Sequence, residues 1–312
     1  MDFTLKTYLN LIETLQWQGF SFQTFANFLE KPENKIIILR QDIDRLPMNT
    51  LEFARIQAKN GITGTYFFRM GSKGFKEKII EEIYSLGHEI GYHYEDVSTA
   101  AERQKTKGKR QKWLEHGSGF RVQGEEPEKL VVDIGIASFR ENLEKIRKIV
   151  PVKTVCMHGS PLSRWDSRLL WKYYDYRDFG IIGEPYFDLN FEQVLYLTDA
   201  GRRWNGAAVS VRDKAGSNGV HEGAEKFSSW KVQPTAGSAM NMTCKAWEFQ
   251  KNHNFRSTKD IMSAVEGNML PDKIMITFHP QRWTDKPLQW ACELLLQNTK
   301  NVIKYFIVKR MT

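Results

Sequence analysis

Two aspartates, Asp42 and Asp44, follow a run of four aliphatic residues, Ile36–Leu39. This short, mostly β-branched run indicates a buried strand, and residues two apart in a strand point to the same side. Two carboxylates this close repel each other, which raises the pKa of one of them unless a cation lies between them or one of them acts as a base. The pair therefore indicates metal binding or acid–base chemistry, and a surface turn with a helix cap is the alternative.

Three histidines, His93, His158 and His279, each end or directly follow a predicted strand. The carboxyl ends of parallel strands lie on one rim of an α/β fold, where Asp42 and Asp44 are also expected. A mixed set of histidine and carboxylate ligands suits a divalent transition metal with open coordination positions. Such an ion can activate water and polarise a carbonyl group. A single histidine at a strand end is more often a cap or a core residue, so the interpretation depends on the three recurring together.

The elements that must position these residues alternate between strand and helix. Strands are predicted from Ile36 and at 63–69, 88–93, 152–157, 179–182, 193–198, 207–211 and 273–278. Helices are predicted at 3–17, 20–29, 49–60, 75–86, 133–149, 257–266 and 287–305. The alternation predicts an α/β fold with parallel strands and helical crossovers. No repeat or linker divides the chain, so 1–312 is predicted to be a single domain, with 1–35 as N-terminal helices and 98–128 and 214–256 as insertions or loops.

Composition excludes several classes of protein. The net charge of +8 includes a basic run at 103–112, which indicates a solvated loop or, alternatively, a contact to an anionic substrate or membrane surface. No nucleic-acid-binding motif accompanies the charge. Three dispersed cysteines form neither a disulfide framework nor a thiolate zinc site. Neither a signal peptide nor an apolar run of roughly 20 residues is found, so a cytoplasmic protein without a transmembrane segment is expected.

Three motifs together resemble the polysaccharide deacetylase (NodB-homology) superfamily, carbohydrate esterase family four. They are the Asp42-Ile-Asp44 strand end, the segment Gly61-Ile-Thr-Gly-Thr-Tyr-Phe-Phe68, and Leu86-Gly-His-Glu-Ile-Gly-Tyr-His93. The resemblance continues more loosely through His158-Gly-Ser-Pro161 and His279-Pro280. These last two motifs are similar to a branch associated with bacterial O-antigen or surface-polysaccharide gene clusters.

The resemblance implies a distorted (β/α) barrel of about seven parallel strands, here preceded by two extra N-terminal helices. It also implies a divalent metal, commonly zinc. Carried onto this sequence, Asp42 would be the general base, Asp44 and His93 metal ligands, and His279 the acid that protonates the leaving amine. The substrate would be a small molecule or a glycan.

One position departs from the family pattern. The family has a further metal-binding histidine four residues after the position of His93, and here that residue is Val97. Because catalytic zinc usually has three protein ligands, His158 is the preferred replacement and Glu95 the second choice. The arginine–proline motif of the family is also not clearly present. Five residues are candidates for orienting the base or binding a sugar: Arg164, Trp165, Arg202, Arg203 and Trp283.

The sequence therefore predicts a metal-dependent amidohydrolase that removes an acetyl group from an N-acetylated sugar or a surface-polysaccharide precursor. Two alternatives stay open. One is a catalytically inactive barrel that binds glycan or acts as a scaffold, which the Val97 departure favours. The other is a hydrolase of a non-sugar C–N bond, which would use the same residues. The sequence predicts no particular oligomeric state.

Overall fold

The computed structural model describes residues 1–103, 127–159, 165–204 and 255–311. Within these ranges the strands are β1 (Ser21–Gln23), β2 (Ile36–Ile43), β3 (Thr65–Phe68), β4 (Glu89–Tyr94), β5 (Val155–Met157), β6 (Leu195–Thr198) and β7 (Lys273–Phe278). The helices are α1 (Leu5–Trp17), α2 (Phe25–Glu30), α3 (Pro47–Lys59), α4 (Glu77–Ser85), α5 (96–103), α6 (Pro127–Arg147), α7 (Leu170–Tyr173), α8 (Pro185–Asp188), α9 (Thr258–Glu266) and α10 (Pro287–Met311). Short 3₁₀ turns lie at Ser167–Leu169, Tyr176–Phe179, Ala200–Arg202 and Pro280–Arg282.

The chain forms two compact units. The first comprises Met1–Ser21, Glu33–Ile38 and Asn190–Thr312, and the second comprises Phe22–Pro32 and Leu39–Leu189. Strand β2 contributes its first three residues to the first unit and its last five to the second. All eight residues of β2 are buried, which explains why its first four residues, Ile36–Leu39, are a continuous apolar run rather than an alternating one.

The second unit carries parallel strands in the order β5-β4-β3-β2. Helices α3 and α4 make the crossovers that parallel pairing requires. The register places Asp42 beside Phe67, Phe67 beside Gly91, and His93 beside Cys156. Gly91 must lack a side chain, because an added Cβ would lie 2.4 Å from the Phe67 ring. Apolar residues of α3, α4 and α6 cover the strands and form the core of this unit.

The first unit contains the parallel pair β6 and β7, with Leu195 beside Ile274 and Thr198 beside Thr277. The start of β2 joins β7 through the Ile36 amide, which donates to the carbonyl of Asp272 at 2.7 Å. Helix α1 packs against α9. Five aromatic rings make the core between these elements: Phe3, Tyr8, Trp204, Phe278 and Trp283.

The predicted α/β class with about seven parallel strands is confirmed, but the described residues show no closed barrel. The helix predicted at 3–17 is confirmed as α1. The helix predicted at 20–29 is confirmed only in its second half, as α2. Its first half is wrong, because the Ser21 amide donates to the Lys35 carbonyl in a short strand and Thr24 then caps α2. The strand predicted at 179–182 is also wrong, since Asp175 caps a 3₁₀ turn that ends at Phe179.

Two predicted loop segments fall largely outside the description. Residues 98–103 belong to helix α5 rather than to a loop, and 128 lies in α6. The basic run beyond residue 103, the strand predicted at 207–211 and the loop at 214–254 lie outside the described residues. Among the helices that are described, none is both long and apolar enough to cross a membrane.

Candidate metal centre

Asp44, His93 and His158 lie together in the second unit. One potential ligand atom from each lies within 4.8 Å of the others, and the Nε2 atom of His158 is 3.6 Å from Oδ1 of Asp44. Ligand atoms around a tetrahedral zinc ion lie about 3.3 Å apart, given bond lengths near 2.0–2.1 Å. The three residues come together because Asp44 follows β2, His93 lies near the end of β4, and His158 follows β5. The group could therefore hold a metal ion.

Both histidines have their other ring nitrogen occupied. The Nδ1 atom of His93 lies 2.9 Å from the carbonyl oxygen of Cys156, and Nδ1 of His158 lies 2.8 Å from Oε2 of Glu95. Because a carbonyl oxygen only accepts, Nδ1 of His93 carries the proton of the neutral ring and its Nε2 keeps its lone pair. The two rings are nearly perpendicular, at 86°, with centroids 5.0 Å apart. This orientation by an outer acceptor is the usual arrangement of metal-binding histidines.

The electrostatic surroundings keep His93 neutral. Burial lowers the pKa of His93 to about 4, because the charged imidazolium loses its hydration; the charges of His158 and Arg40 lower the pKa further, and those of Asp42 and Asp44 oppose the shift. A neutral imidazole is the form that binds a metal ion. His93 is therefore ready to act as a ligand at neutral pH without first losing a proton.

Glu95, the second choice as a third metal ligand, contacts Nδ1 of His158 instead. Burial alone would raise its pKa, but the hydrogen bond and charge of His158 and the nearby Arg69 outweigh burial and lower it. Its Oε2 atom also lies 3.2 Å from Nη1 of Arg69. An ionised Glu95 thus connects Arg69 to His158. It orients His158 and does not belong to the group of three potential ligands.

Asp42 is held by an arginine that sequence reasoning missed. Arg40 donates from Nε to Oδ1 and from Nη2 to Oδ2 of Asp42, each at 2.7 Å, and both side chains are buried. The Oδ2 atom of Asp42 is also 3.6 Å from Nε2 of His93. Arg40 precedes Asp42 by two residues in β2, so strand alternation places both on one face. That spacing was the signal that could have identified Arg40 as the residue that orients Asp42.

Val97 lies in α5 with its side chain fully buried in the hydrophobic core of the second unit. An added Cβ on Gly135 of α6 would lie only 3.0 Å from Cγ2 of Val97, so helix α6 packs closely on this side chain. Position 97 therefore points into the core. This packing explains the valine. The preferred replacement ligand, His158, follows a different strand, β5.

His279 lies in the first unit, beside a fully buried carboxylate. Asp199 accepts from Nδ1 of His279 at 2.6 Å, from the backbone amide of His279 at 3.0 Å, and from Nη1 of Arg282 at 2.9 Å. Burial alone would raise the pKa of Asp199, but these charges and hydrogen bonds outweigh it and lower the pKa. Asp199 thus fixes the ring of His279 and leaves its Nε2 atom for another contact. The acid role of His279 stays a prediction.

The predicted sugar-binding residues have unequal support. Trp283 is fully buried, and its Nε1 atom donates to Asp199 at 2.6 Å, a packing role that does not favour a sugar platform. Arg202 is also buried: it donates to the Trp290 carbonyl, with its guanidinium 4.6 Å from the centre of that ring. Arg203 is exposed and Trp165 is half-buried. Arg164 lies outside the described residues.

Comparisons with models of known protein families, with curated proteins and with solved structures find no match for this chain. The resemblance to polysaccharide deacetylases therefore depends on its motifs. The geometry of the second unit adds that Asp44, His93 and His158, predicted from separate strand ends, lie within reach of one ion.

Proposed function

We propose that this protein is a metal-dependent amidohydrolase, similar to the polysaccharide deacetylases, that removes an acetyl group from an N-acetylated sugar or a surface-polysaccharide precursor. The observation that carries the proposal is the group of Asp44, His93 and His158, in which an oxygen atom lies close to Nδ1 of each histidine. Three ligands of mixed nitrogen and oxygen type suit a catalytic zinc ion with an open position. Zinc is therefore the first metal to test.

A divalent ion at this position would supply a Lewis acid for the amide carbonyl and would lower the pKa of water. The residues of the chain supply the proton transfers. In the proposed reaction Asp42 accepts a proton from the attacking water, and Arg40 keeps its carboxylate in one orientation through two charge-assisted hydrogen bonds. The resemblance assigns the acid to His279, whose Nδ1 is held by Asp199 and whose Nε2 would give the proton to the leaving nitrogen. The products are acetate and a free amine.

The first experiment measures metal content by elemental analysis in the wild type and in Asp44→Asn and His158→Ala. Near-stoichiometric metal in the wild type and its loss in both variants are expected, because each variant removes one of three ligands. Asp178→Asn is the matched control: it makes the same chemical change at an exposed aspartate of the same unit and should keep the metal. A wild type that binds no divalent ion after reconstitution would refute the proposal.

The second experiment measures acetate release from a panel of N-acetylated sugars, nucleotide sugars and simple acetamides. Turnover by the metal-loaded wild type, with loss in Asp42→Asn at unchanged metal content, would support the assignment of Asp42 as the base. Bound metal without turnover of any acetamide would favour the inactive, glycan-binding alternative. Turnover of non-sugar amides alone would favour the hydrolase of another C–N bond.

A further inference from the structure

Helix α10 is inverted relative to an ordinary surface helix, which buries an apolar stripe and exposes polar residues. Between Pro287 and Val302, the side chains that the helix buries are polar: Glu293, Gln297 and Asn301 are only 5%, 7% and 5% exposed. Four of its large apolar side chains face outward instead, whereas Trp290 and Leu294 are half-buried. The exposed fractions are 83% for Leu288, 68% for Leu295 and 54% for Val302, with Leu296 at 38%. The three most exposed of these apolar residues are seven apart, so they lie in one stripe on the same face of the helix.

Specific contacts hold the helix in this rotation. Nδ2 of Asn301 donates to the carbonyl of Gly201 at 3.0 Å, and Nη1 of Arg202 donates to the carbonyl of Trp290 at 2.8 Å. Gly201 has a φ of +68°, and an added Cβ there would lie 2.7 Å from Oδ1 of Asn301. Nε2 of Gln297 donates to Oε1 of Glu293 at 2.7 Å, so the buried polar face is hydrogen-bonded. The outward position of the leucines is therefore a consequence of well-matched contacts on the opposite face.

The charged residues of the helix are mostly positive. Its sequence contains four cations, Lys300, Lys304, Lys309 and Arg310, and a single acid, Glu293. Because Glu293 is buried against its own unit, it does not offset the exposed Lys300. An apolar stripe on a helix rich in lysine and arginine is the pattern of helices that lie in the plane of a membrane surface and are attracted to anionic lipids.

We propose that the stripe of Leu288, Leu295 and Val302 docks onto the surface of an anionic lipid bilayer. The helix would lie along the interface with its leucines among the headgroups, and the exposed Lys300 would add attraction to the lipid phosphates. A second copy of the chain fits the stripe less well. A two-stranded coiled coil needs apolar residues at both heptad core positions. The second position here falls either on Ala291 and Asn298 or on Cys292 and Thr299, and each choice includes a polar residue.

The test is co-sedimentation of the full chain with lipid vesicles. The probes are vesicles of phosphatidylcholine alone and of phosphatidylcholine with phosphatidylglycerol. Binding is expected only with the anionic vesicles and should weaken as salt is raised, because the attraction of cations to lipid phosphates is screened. The variant Leu288→Ser/Leu295→Ser should lower the vesicle partition coefficient about tenfold or more, since it removes the two largest apolar contacts.

The control is Leu130→Ser/Ile134→Ser, which makes the same kind of change at two exposed apolar residues of α6, 42% and 39% exposed. It should bind vesicles like the wild type. Since all four side chains are exposed, both variants should keep the thermal stability of the wild type, which calorimetry checks. Equal vesicle binding by the two double variants, or none by the wild type, would overturn the proposal. So would a dimer in sedimentation equilibrium that Leu288→Ser/Leu295→Ser dissolves while no variant binds vesicles, because the stripe would then serve a second copy.

Discussion

Replacement of Arg40 by methionine should destabilise the protein far more than loss of an ordinary ion pair. The guanidinium of Arg40 makes two 2.7 Å hydrogen bonds to Asp42, and the two side chains are only 4% and 8% exposed. Methionine is close in length and apolar, so it fills most of the space but leaves the Asp42 carboxylate buried without its cation. The expected effect is therefore mainly electrostatic rather than a loss of packing.

Removal of one partner of a buried pair costs about 3–5 kcal/mol, whereas an exposed pair contributes about 1 kcal/mol or less. Arg55 and Glu82 provide the matched exposed pair in the same unit, with side chains 57% and 39% exposed. At an m value of about 2 kcal/mol/M in urea, Arg40→Met should lower the midpoint of unfolding by about 1.5–2.5 M. Arg55→Met should lower it by about 0.5 M or less.

The assay is equilibrium unfolding in urea of the wild type, Arg40→Met, Asp42→Asn and the double variant. Loss of both charges leaves no unpaired ion, so the double variant should recover most of the stability lost in Arg40→Met. The coupling energy from this cycle should be about 2–3 kcal/mol. If Arg40→Met lowers the midpoint no further than Arg55→Met does, Asp42 does not depend on a buried guanidinium and the reasoning fails.

Three further predictions concern the second unit. Burial raises the pKa of Glu184 to about 7, above its usual 4.5, so the folded protein keeps a proton that the unfolded chain releases. The stabilisation is complete below the pKa of the unfolded chain and is lost as pH rises. The free energy of unfolding should therefore fall by about 1.4 kcal/mol per pH unit between about pH 5 and pH 7. Urea unfolding at a series of pH values measures this slope, which should be absent in Glu184→Gln. Glu95→Gln should weaken metal affinity about 10–100-fold in chelator competition without abolishing binding, because Glu95 only orients His158, and complete loss would make it a ligand. Val97→His should lower the free energy of unfolding by about 2–4 kcal/mol without raising metal affinity, because the ring would be buried against Gly135; a gain in metal affinity would contradict this placement.

Local patterns in the sequence were sufficient for much of the fold. The aliphatic run of β2, the apolar spacing of α1 and the alternation of the first hundred residues predicted elements that the structure contains. These predictions succeeded because burial imposes a period of two on strands and of 3.6 on helices, and both periods can be read from residue type. The same reasoning placed the start of α2 too early, because six helical residues are too few for their period to be distinguished from a preceding short strand and a cap.

The sequence by itself also determined which residues end the strands: Asp42 and Asp44 after the β2 run, and His93 and His158 at the ends of β4 and β5. Since parallel strands share a rim, their convergence followed from topology alone. Only the tertiary structure decided their contacts. It paired Arg40 with Asp42, aimed Glu95 at Nδ1 of His158, and turned Val97 into the core. Such contacts depend on side-chain direction between segments distant in sequence, which strand and helix periods do not encode. For the same reason only the structure shows that α10 turns its polar residues inward, because the contacts that set its rotation come from the loop at Gly201 and Arg202.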